Sequence, residues 1–254
     1  MQKALFVGHG SPMNALGRNT YAQQWRLIGT RCRHVSAILC ISAHWYLKET
    51  RVAVTSQPKT IHDFYGFPEE LYAIRYDVPG APEIARMITG LLPATVQEDA
   101  VQGLDHGAWS VLMHMFPQSM GIPVFQLSID RTCSPELQYA WGRSLKTLRS
   151  QGVLIIGSGN IVHNLKRVDM MASNGYPWAD RFDTYIHDAI IAKDHRTVRE
   201  ALQQHEVAPL AVPIRDHFDP LLYVLGATDP EETVTVFNHE CTMGSISMTS
   251  YCFG

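Results

Sequence analysis

Three of the twelve histidines in this 254-residue chain directly follow short apolar runs. His9 comes two residues after KALFV (3–7), His44 two residues after ILCIS, and His163 follows VLIIG (153–157) through a short SGN turn. In open α/β sheets, ligands bind beyond the carboxyl ends of the strands, so these imidazoles are expected to converge. Converging imidazoles bind transition metals or transfer protons. The glycines on either side of His9 leave bare backbone that allows a metal ion or a ring to approach.

Two further histidines stand where predicted helices begin. His217 precedes Asp219–Pro220, an N-cap followed by proline, and His106 lies in GLDHGAWSVL, where Asp105 or His106 starts a helix. A lone histidine at such a position is more often an ordinary polar loop residue. Five histidines at matching ends of strands and helices favour a shared site.

The strands that must position these residues are short apolar runs separated by helical patterns. Three runs, at 3–7, 35–41 and 153–156, are almost continuously hydrophobic, which is typical of parallel strands covered on both faces. The full set of predicted strands is 3–7, 35–42, 51–55, 122–129, 153–157, 233–237 and 245–251. Strands that alternate with helices predict an α/β fold with a mostly parallel central sheet flanked by helices.

The helices are marked by their end signals. Ser134–Pro135 opens a helix that Gly152 stops, and Asp219–Pro220 opens another that ends at Gly226. Further helices are predicted near 19–29, 81–92, 107–116 and 179–203. The long aromatic segment 56–80 is predicted to be a loop that covers a site. Because the sequence has neither a linker nor a repeat, residues 1–254 are predicted to form one catalytic domain, with its site at the C-terminal ends of the strands.

The composition argues against several classes of partner. The chain has 21 Lys and Arg against 24 Asp and Glu, so it carries no basic footprint for nucleic acid or an anionic membrane. An apolar stretch of about 18 residues, the length that crosses a bilayer, is missing from the sequence. The five cysteines are odd in number and form no C-x-x-C motif. We therefore expect reduced thiols and a cytoplasmic protein.

Several longer motifs resemble a known enzyme family. GHGSPMNAL, SAHW, TIHDFYGFP, DHGAW, QLSID, GSGNIVHNL and PLLYVLGA occur in the order in which the 4,5-DOPA extradiol dioxygenase family has them. That family belongs to the LigB-like class III extradiol ring-cleavage superfamily. The resemblance extends over essentially the whole chain and implies a single α/β domain with one divalent metal ion.

The resemblance also implies roles for individual residues. His9, His44, His163 and His217 match the metal-binding positions of the family, and His106 matches the proposed acid/base residue. The superfamily usually holds iron with two histidines and a glutamate, whereas the matched positions here are all histidine. Imidazole-rich sites suit zinc as well as iron. Zinc is therefore expected in the purified protein, and Fe(II) for turnover, because Zn²⁺ has no redox chemistry.

The implied substrates are O₂ and a catechol such as DOPA, whose ring opens next to the hydroxyls rather than between them. The side chains of Trp45 and Phe64 are expected to flank the flat ring. Asp63 and Asp105 are expected to orient histidine N–H groups, although Asp105 is alternatively only a helix cap.

Three other functions stay open from the sequence. A zinc-dependent hydrolase can use the same histidine cluster to activate water. A serine hydrolase built on Ser11 or Ser158 is disfavoured, because IGSGN does not have the G-x-S-x-G spacing. A binding module with a closed four-histidine metal shell predicts an ion with no exchangeable position.

Overall fold

The computed structural model describes residues 1–92 and 95–254. Its central sheet has six strands in the order β6-β2-β8-β1-β12-β9. These strands are β1 (Ala4–Gly8), β2 (Ala37–Ser42), β6 (Val124–Gln126), β8 (Val153–Gly159), β9 (Val234–Phe237) and β12 (Ser250–Phe253). The four strands β6, β2, β8 and β1 are parallel, and β12 pairs antiparallel with both β1 and β9. The predicted fold class, a mostly parallel sheet flanked by helices, is confirmed.

Short strands outside this sheet pair separately within the described residues. They are β3 (Tyr46–Leu47), β4 (Thr50–Ala53), β5 (Val96–Asp99), β7 (Ile129–Asp130), β10 (Cys241–Thr242) and β11 (Ile246–Ser247). The single strand predicted over 122–129 is wrong, because the chain forms β6 and β7 with a break between them. The strand predicted over 245–251 is likewise replaced by β11 and β12.

Nine α-helices lie in the described part of the chain. They are α1 (Thr20–Arg31), α2 (Glu69–Tyr72), α3 (Pro82–Leu91), α4 (His106–Met115), α5 (Pro135–Ser150), α6 (Pro177–Ile191), α7 (His195–Gln204), α8 (Ala208–Ala211) and α9 (Asp219–Gly226). Short 3₁₀ turns occupy Pro12–Leu16, Gln118–Met120, Leu165–Arg167 and Arg215–His217. None of the helices in these two described ranges is long and apolar enough to cross a bilayer.

The end signals in the sequence locate α1, α3, α4, α5 and α9, whereas α8 and α2, which lies within the predicted loop over 56–80, were not predicted. Ser134 caps α5 as predicted, since its side chain accepts a hydrogen bond from the Leu137 amide. The single helix predicted over 179–203 is wrong: Lys193 has a φ of 59°, which interrupts the helix, and Asp194 caps α7. Asp219 is not the predicted N-cap, because its buried carboxylate accepts from the Arg215 and Gln138 side chains instead.

Side chains of the parallel strands alternate between two buried layers. In β1, Leu5 and Val7 pack with Trp25 of α1 and Trp109 of α4, whereas Phe6 packs with helices of the opposite face. This period-two alternation follows from strand geometry, and burial of both faces explains why the strands are continuously apolar. Because β6, β2, β8 and β1 run parallel, their carboxyl ends meet at one edge of the sheet.

Candidate metal centre

Three histidines from distant parts of the chain form a nearly regular triangle at this edge. The ring centroids of His9, His44 and His217 are each 5.1 Å from the other two. One ring nitrogen of each lies within 4.8 Å of the others. His9 directly follows β1, His44 follows β2, and His217 ends the 3₁₀ turn that precedes α9. The convergence predicted from strand ends is therefore present for His9 and His44, and His217 joins them.

Each ring of the triangle has its Nδ1 atom beside an oxygen. Nδ1 of His9 is 3.0 Å from Ser158 Oγ, and Nδ1 of His44 is 3.2 Å from Asp63 Oδ2. Nδ1 of His217 is 2.8 Å from Asp216 Oδ1. Histidines that bind metals characteristically donate their other ring N–H to such an oxygen. The arrangement leaves the three Nε2 atoms available as donors to a cation.

The spacing of these nitrogens fits a small metal ion. The Nε2 atoms of His9 and His44 are 3.2 Å apart. Two nitrogens bound to a tetrahedral ion at Zn–N distances of 2.0–2.1 Å lie about 3.3 Å from each other. The donor set is therefore of the right kind and nearly of the right size for one transition-metal ion.

The electrostatics of the triangle keep two of its three rings free of an added proton. Burial, together with the neighbouring imidazoles, lowers the pKa of His9 and His217 well below the usual value, so both rings are neutral near pH 7. Burial opposes protonation of His44 too, but the hydrogen bond to Asp63 and the charge of Asp105 raise its pKa. A proton on His44 Nε2 can thus be shared with His9 Nε2, and a divalent cation can replace that proton.

His163 is close to the triangle but is not one of its three corners. Its ring stacks on His217 with centroids 3.4 Å apart and planes 9° apart. Its ligand atom belongs to a separate group with His217 and Asp216, whose donor atoms all lie within 4.8 Å of one another. Burial lowers the pKa of His163 to about 4, so this ring is also neutral. The structure thus brings His163 to the site through His217, and its role as a fourth ligand stays a prediction.

His106 and Asp63 form a pair beside the triangle. The His106 ring lies 3.9 Å from the His44 ring, and its Nδ1 is 3.0 Å from Asp63 Oδ2. The His106 amide also donates to Asp63 Oδ1, at 2.8 Å. Burial lowers the pKa of His106 although Asp63 opposes that effect. Burial would raise the pKa of Asp63, but the hydrogen bonds from His106 and His44 hold it well below its usual value. Asp63 therefore remains ionised and orients both rings.

The other predicted site residues fall into different environments. Phe64 is half-buried, and its ring stands edge-on to His106 at 5.6 Å. Trp45 is only 5% exposed and makes no ring contact with the histidines among the described residues, and its predicted place beside the substrate stays a prediction. The Asp105 carboxylate caps α4 through the Ala108 amide and accepts from Ser42 and Gln126. Its hydrogen bonds within the described ranges reach no imidazole, which favours the helix-cap alternative.

Asp216, Ser158 and Ser42 are site residues that the motifs did not identify as such. Asp216 directly precedes His217, so its position in RDHFDP could have identified it as a partner of that histidine. Ser42 and Ser158 are direct partners in the register of β2 and β8. Ser42 is the last residue of β2, and Ser158 is the penultimate residue of β8. Their place beside the histidines follows from the pairing of the two strands, which the motifs do not show.

Comparison with known proteins shows the family of this chain. Residues 4–254 match the family described as the catalytic LigB subunit of aromatic ring-opening dioxygenase. The chain belongs to the LigB family. It is 41% identical to the 4,5-DOPA dioxygenase extradiol of Escherichia coli strain K12, over 99% of this chain and 94% of that protein. It is 34% identical to the 4,5-DOPA dioxygenase extradiol of Beta vulgaris, over 100% of this chain and 97% of that protein.

A solved structure supports the fold of this LigB family member. The crystal structure of an uncharacterised protein from Escherichia coli K12 superposes with a TM-score of 0.87 at 36% identity, covering all of both chains. Membership of the family makes the protein an oxygenase that cleaves aromatic rings in the extradiol manner. The histidine triangle lies where the strand-end argument placed the metal, and it is the candidate centre for that reaction.

Proposed function

We propose that this protein opens the ring of a DOPA-like catechol with O₂ at a metal ion held by His9, His44 and His217, with His163 beside them. The observation that carries the proposal is the triangle of imidazoles with mutual centroid distances of 5.1 Å. Each of its rings is oriented through Nδ1 by an oxygen. The names of the relatives support a DOPA-like catechol as the substrate.

The chemistry of the metal follows from its identity. A bound Fe(II) ion supplies Lewis acidity for the catechol oxygens and the redox chemistry that O₂ requires, which Zn²⁺ lacks. We propose Fe(II) for turnover and Zn²⁺ as the ion found in purified protein, because neutral imidazoles accept either.

His106 is the residue that we assign to proton transfer. Its Nδ1 is held by Asp63, so Nε2 is the atom that takes a proton from a substrate hydroxyl and later returns it. A lowered pKa keeps this ring neutral near pH 7, which is the state a base requires. Asp63 stabilises the imidazolium that forms, because its carboxylate is 3.0 Å away and ionised.

Phe64 and the segment around it give the site its shape. The half-buried ring of Phe64 contacts His106 edge-on and packs against Phe67, Tyr72 and Trp109. We propose that Phe64 flanks the flat catechol ring, and that segment 56–80, which supplies both Asp63 and Phe64, covers the site. Residues 1–254 would then act as one catalytic domain.

The five cysteines bear on the cellular location. All five are free and buried in the structure. Free thiols support the proposal of a reducing compartment, the cytoplasm.

Oxygen consumption tests the proposed function. The protein is stripped of metal, loaded anaerobically with Fe(II) or with Zn²⁺, and mixed with L-DOPA, caffeate or hydroquinone in ¹⁸O₂. We expect O₂ uptake only with Fe(II) and only with the catechols, and a product that has gained both oxygen atoms. Hydroquinone is the matched control because its hydroxyls are not adjacent and cannot chelate one ion. Absence of uptake with every catechol, accompanied by zinc-dependent ester cleavage, would instead support the hydrolase.

A further inference from the structure

Ser158 is a fully buried serine in the IGSGN motif that the proposed chemistry leaves unused. It is the penultimate residue of β8, and its hydroxyl makes two contacts. Oγ donates to the Gly107 carbonyl at 2.6 Å and lies 3.0 Å from His9 Nδ1. The serine therefore stands between one corner of the histidine triangle and the first turn of α4.

The number of protons available fixes the direction of these hydrogen bonds. A carbonyl oxygen can only accept, so the single hydroxyl proton of Ser158 points to Gly107. The Ser158 oxygen can then only accept from His9, which requires the proton of the neutral ring to be on Nδ1. We infer that Ser158 is a positioning residue that holds His9 in the Nδ1–H tautomer, with a bare Nε2 directed at His44. The role in metal binding rests on the proposed function, whereas the tautomer does not.

Among the described residues, two groups contact the ring nitrogens of His9: Ser158 Oγ at Nδ1 and His44 Nε2, which is 3.2 Å from His9 Nε2. His9 is 1% exposed, so water does not compete for its Nδ1. Asn14 holds the backbone of the same residue by donating to the His9 carbonyl, but it does not contact the ring nitrogens. Loss of the Ser158 hydroxyl thus frees the ring proton to move to Nε2, where it would block a cation.

Ser42 provides a comparison on the neighbouring strand. It is the register partner of Ser158 and donates to Asp105 Oδ1 at 2.6 Å, so both serines bind the start of α4. Ser42 contacts the backbone amide of His44, at 3.3 Å, rather than a ring nitrogen. If Ser158 served only to anchor α4, replacing either serine would have the same consequence for His9.

The experiment measures the tautomer of His9 in metal-free protein labelled with ¹⁵N-histidine. Long-range ¹H–¹⁵N spectra distinguish the two ring nitrogens, and the spectrum of His9→Gln assigns the His9 signals. We expect the unsubstituted protein to show one His9 tautomer with the proton on Nδ1. Ser158→Ala should show a mixture or the Nε2–H form, together with roughly 10- to 100-fold weaker Zn²⁺ binding in a chelator competition.

Two control variants separate this role from general loss of packing. Ser110 on α4 is 1% exposed, and its hydroxyl has no partner among the described residues, so Ser110→Ala removes an equivalent buried atom. We expect Ser110→Ala and Ser42→Ala to retain the Nδ1–H signal of His9. An Nε2–H or mixed signal in the unsubstituted protein overturns the inference, even if Ser158→Ala does not fold. So does a Ser158→Ala protein that keeps both the signal and its Zn²⁺ affinity. Neither measurement uses catechol or O₂, so a failure of the proposed function leaves the tautomer result standing.

Discussion

Oδ2 of Asp63 lies 3.0 Å from Nδ1 of His106, and the same oxygen is 3.2 Å from Nδ1 of His44. One carboxylate oxygen thus serves both the proposed base and one of the proposed metal ligands. In addition, the other oxygen accepts from the His106 amide, so the carboxylate is fixed in place at the entrance of α4. Asp63 therefore links the geometry of the proposed metal site to that of the proposed base.

We expect Asp63→Asn to lower both turnover and metal affinity by roughly 10- to 100-fold. An amide offers one oxygen and an NH₂ group, so it cannot accept from all three N–H groups that Asp63 serves. The measurements are kcat with Fe(II)-loaded protein and Zn²⁺ affinity by chelator competition. Asp77→Asn, an exposed carboxylate on the same segment, is the control. Wild-type values for both quantities in Asp63→Asn would show that this carboxylate does not orient the rings.

His106→Gln should separate chemistry from metal binding. His106 groups with His44 and Asp63 rather than with the triangle, so with the metal in the triangle we expect the variant to bind Zn²⁺ with the affinity of the unsubstituted protein. Removing a general base typically costs about 10²- to 10⁴-fold in rate, and turnover should fall by that factor. Single-turnover O₂ uptake at equal metal occupancy is the measurement. Normal turnover of His106→Gln would assign the base to another residue.

His44→Ala should abolish the metal site while leaving the fold. Metal that binds only the folded state raises the melting temperature, and the rise grows with the ratio of free ligand to Kd. We expect Zn²⁺ to raise the melting temperature of the unsubstituted protein and EDTA to reverse the rise. His44→Ala should show no change with either reagent. His62→Ala, a histidine whose ring bonds the Ile74 carbonyl outside the triangle, should keep the response.

The sequence locates the proposed ligands better than it locates the groups that orient them. His9 and His44 could be found because parallel strands bring their carboxyl ends to one edge, whatever the loops do. Ser158 and Asp216 act through contacts that depend on strand register and on the turn before α9, which apolar periodicity does not encode. The position of His163, stacked on His217, likewise depends on side-chain packing.

The same distinction applies to the fold. Continuous apolar runs identified the buried parallel strands, because burial on both faces leaves a clear pattern. The break between α6 and α7 was missed because a left-handed residue at Lys193 leaves the helical spacing of apolar residues on both sides intact. The strand predicted over 122–129 failed for a similar reason: Phe125, Leu127 and Ile129 keep their alternation of buried apolar side chains across the break between β6 and β7.

The acid stability of the protein should depend on His114 of α4, which lies outside the site. Its Nε2 is 3.0 Å from the Ala15 carbonyl, and Arg26 donates to its Nδ1 at 3.2 Å. Burial and the Arg26 charge lower the pKa of His114, so the fold prefers the neutral ring. The unfolded chain protonates more readily, and stability is therefore lost as the pH falls below about 6.5, the pKa of an unfolded histidine.

We expect His114→Gln to reduce this loss, since glutamine can donate to the same carbonyl without titrating. The measurement is the free energy of unfolding by urea at pH 7 and pH 5 for both proteins in their metal-free form. The difference between the two pH values should be smaller for His114→Gln. An equal difference would mean that protonation of this ring is not coupled to unfolding.

Gly107 allows α4 to pack closely against the site. A Cβ atom there would lie 2.6 Å from Ser42 Oγ and 2.9 Å from His44 Cδ2. Alanine normally stabilises a helix by about 1 kcal/mol relative to glycine. At Gly107 the contacts should outweigh that gain, because relieving them requires movement of a proposed ligand ring or of α4. We expect Gly107→Ala to lower the free energy of unfolding by about 1–3 kcal/mol and to weaken Zn²⁺ binding.

Gly90 in α3 offers the matched control, because a Cβ built there has no described atom within 4 Å apart from its chain neighbours and the backbone of its own helix. Gly90→Ala should leave Zn²⁺ affinity unchanged and raise the free energy of unfolding by up to about 1 kcal/mol. The two variants are compared by urea unfolding and chelator competition. If Gly107→Ala matched Gly90→Ala in both, the helix that carries His106 would not be held against His44 as closely as the structure shows, and the proposed coupling of base and ligand would fail.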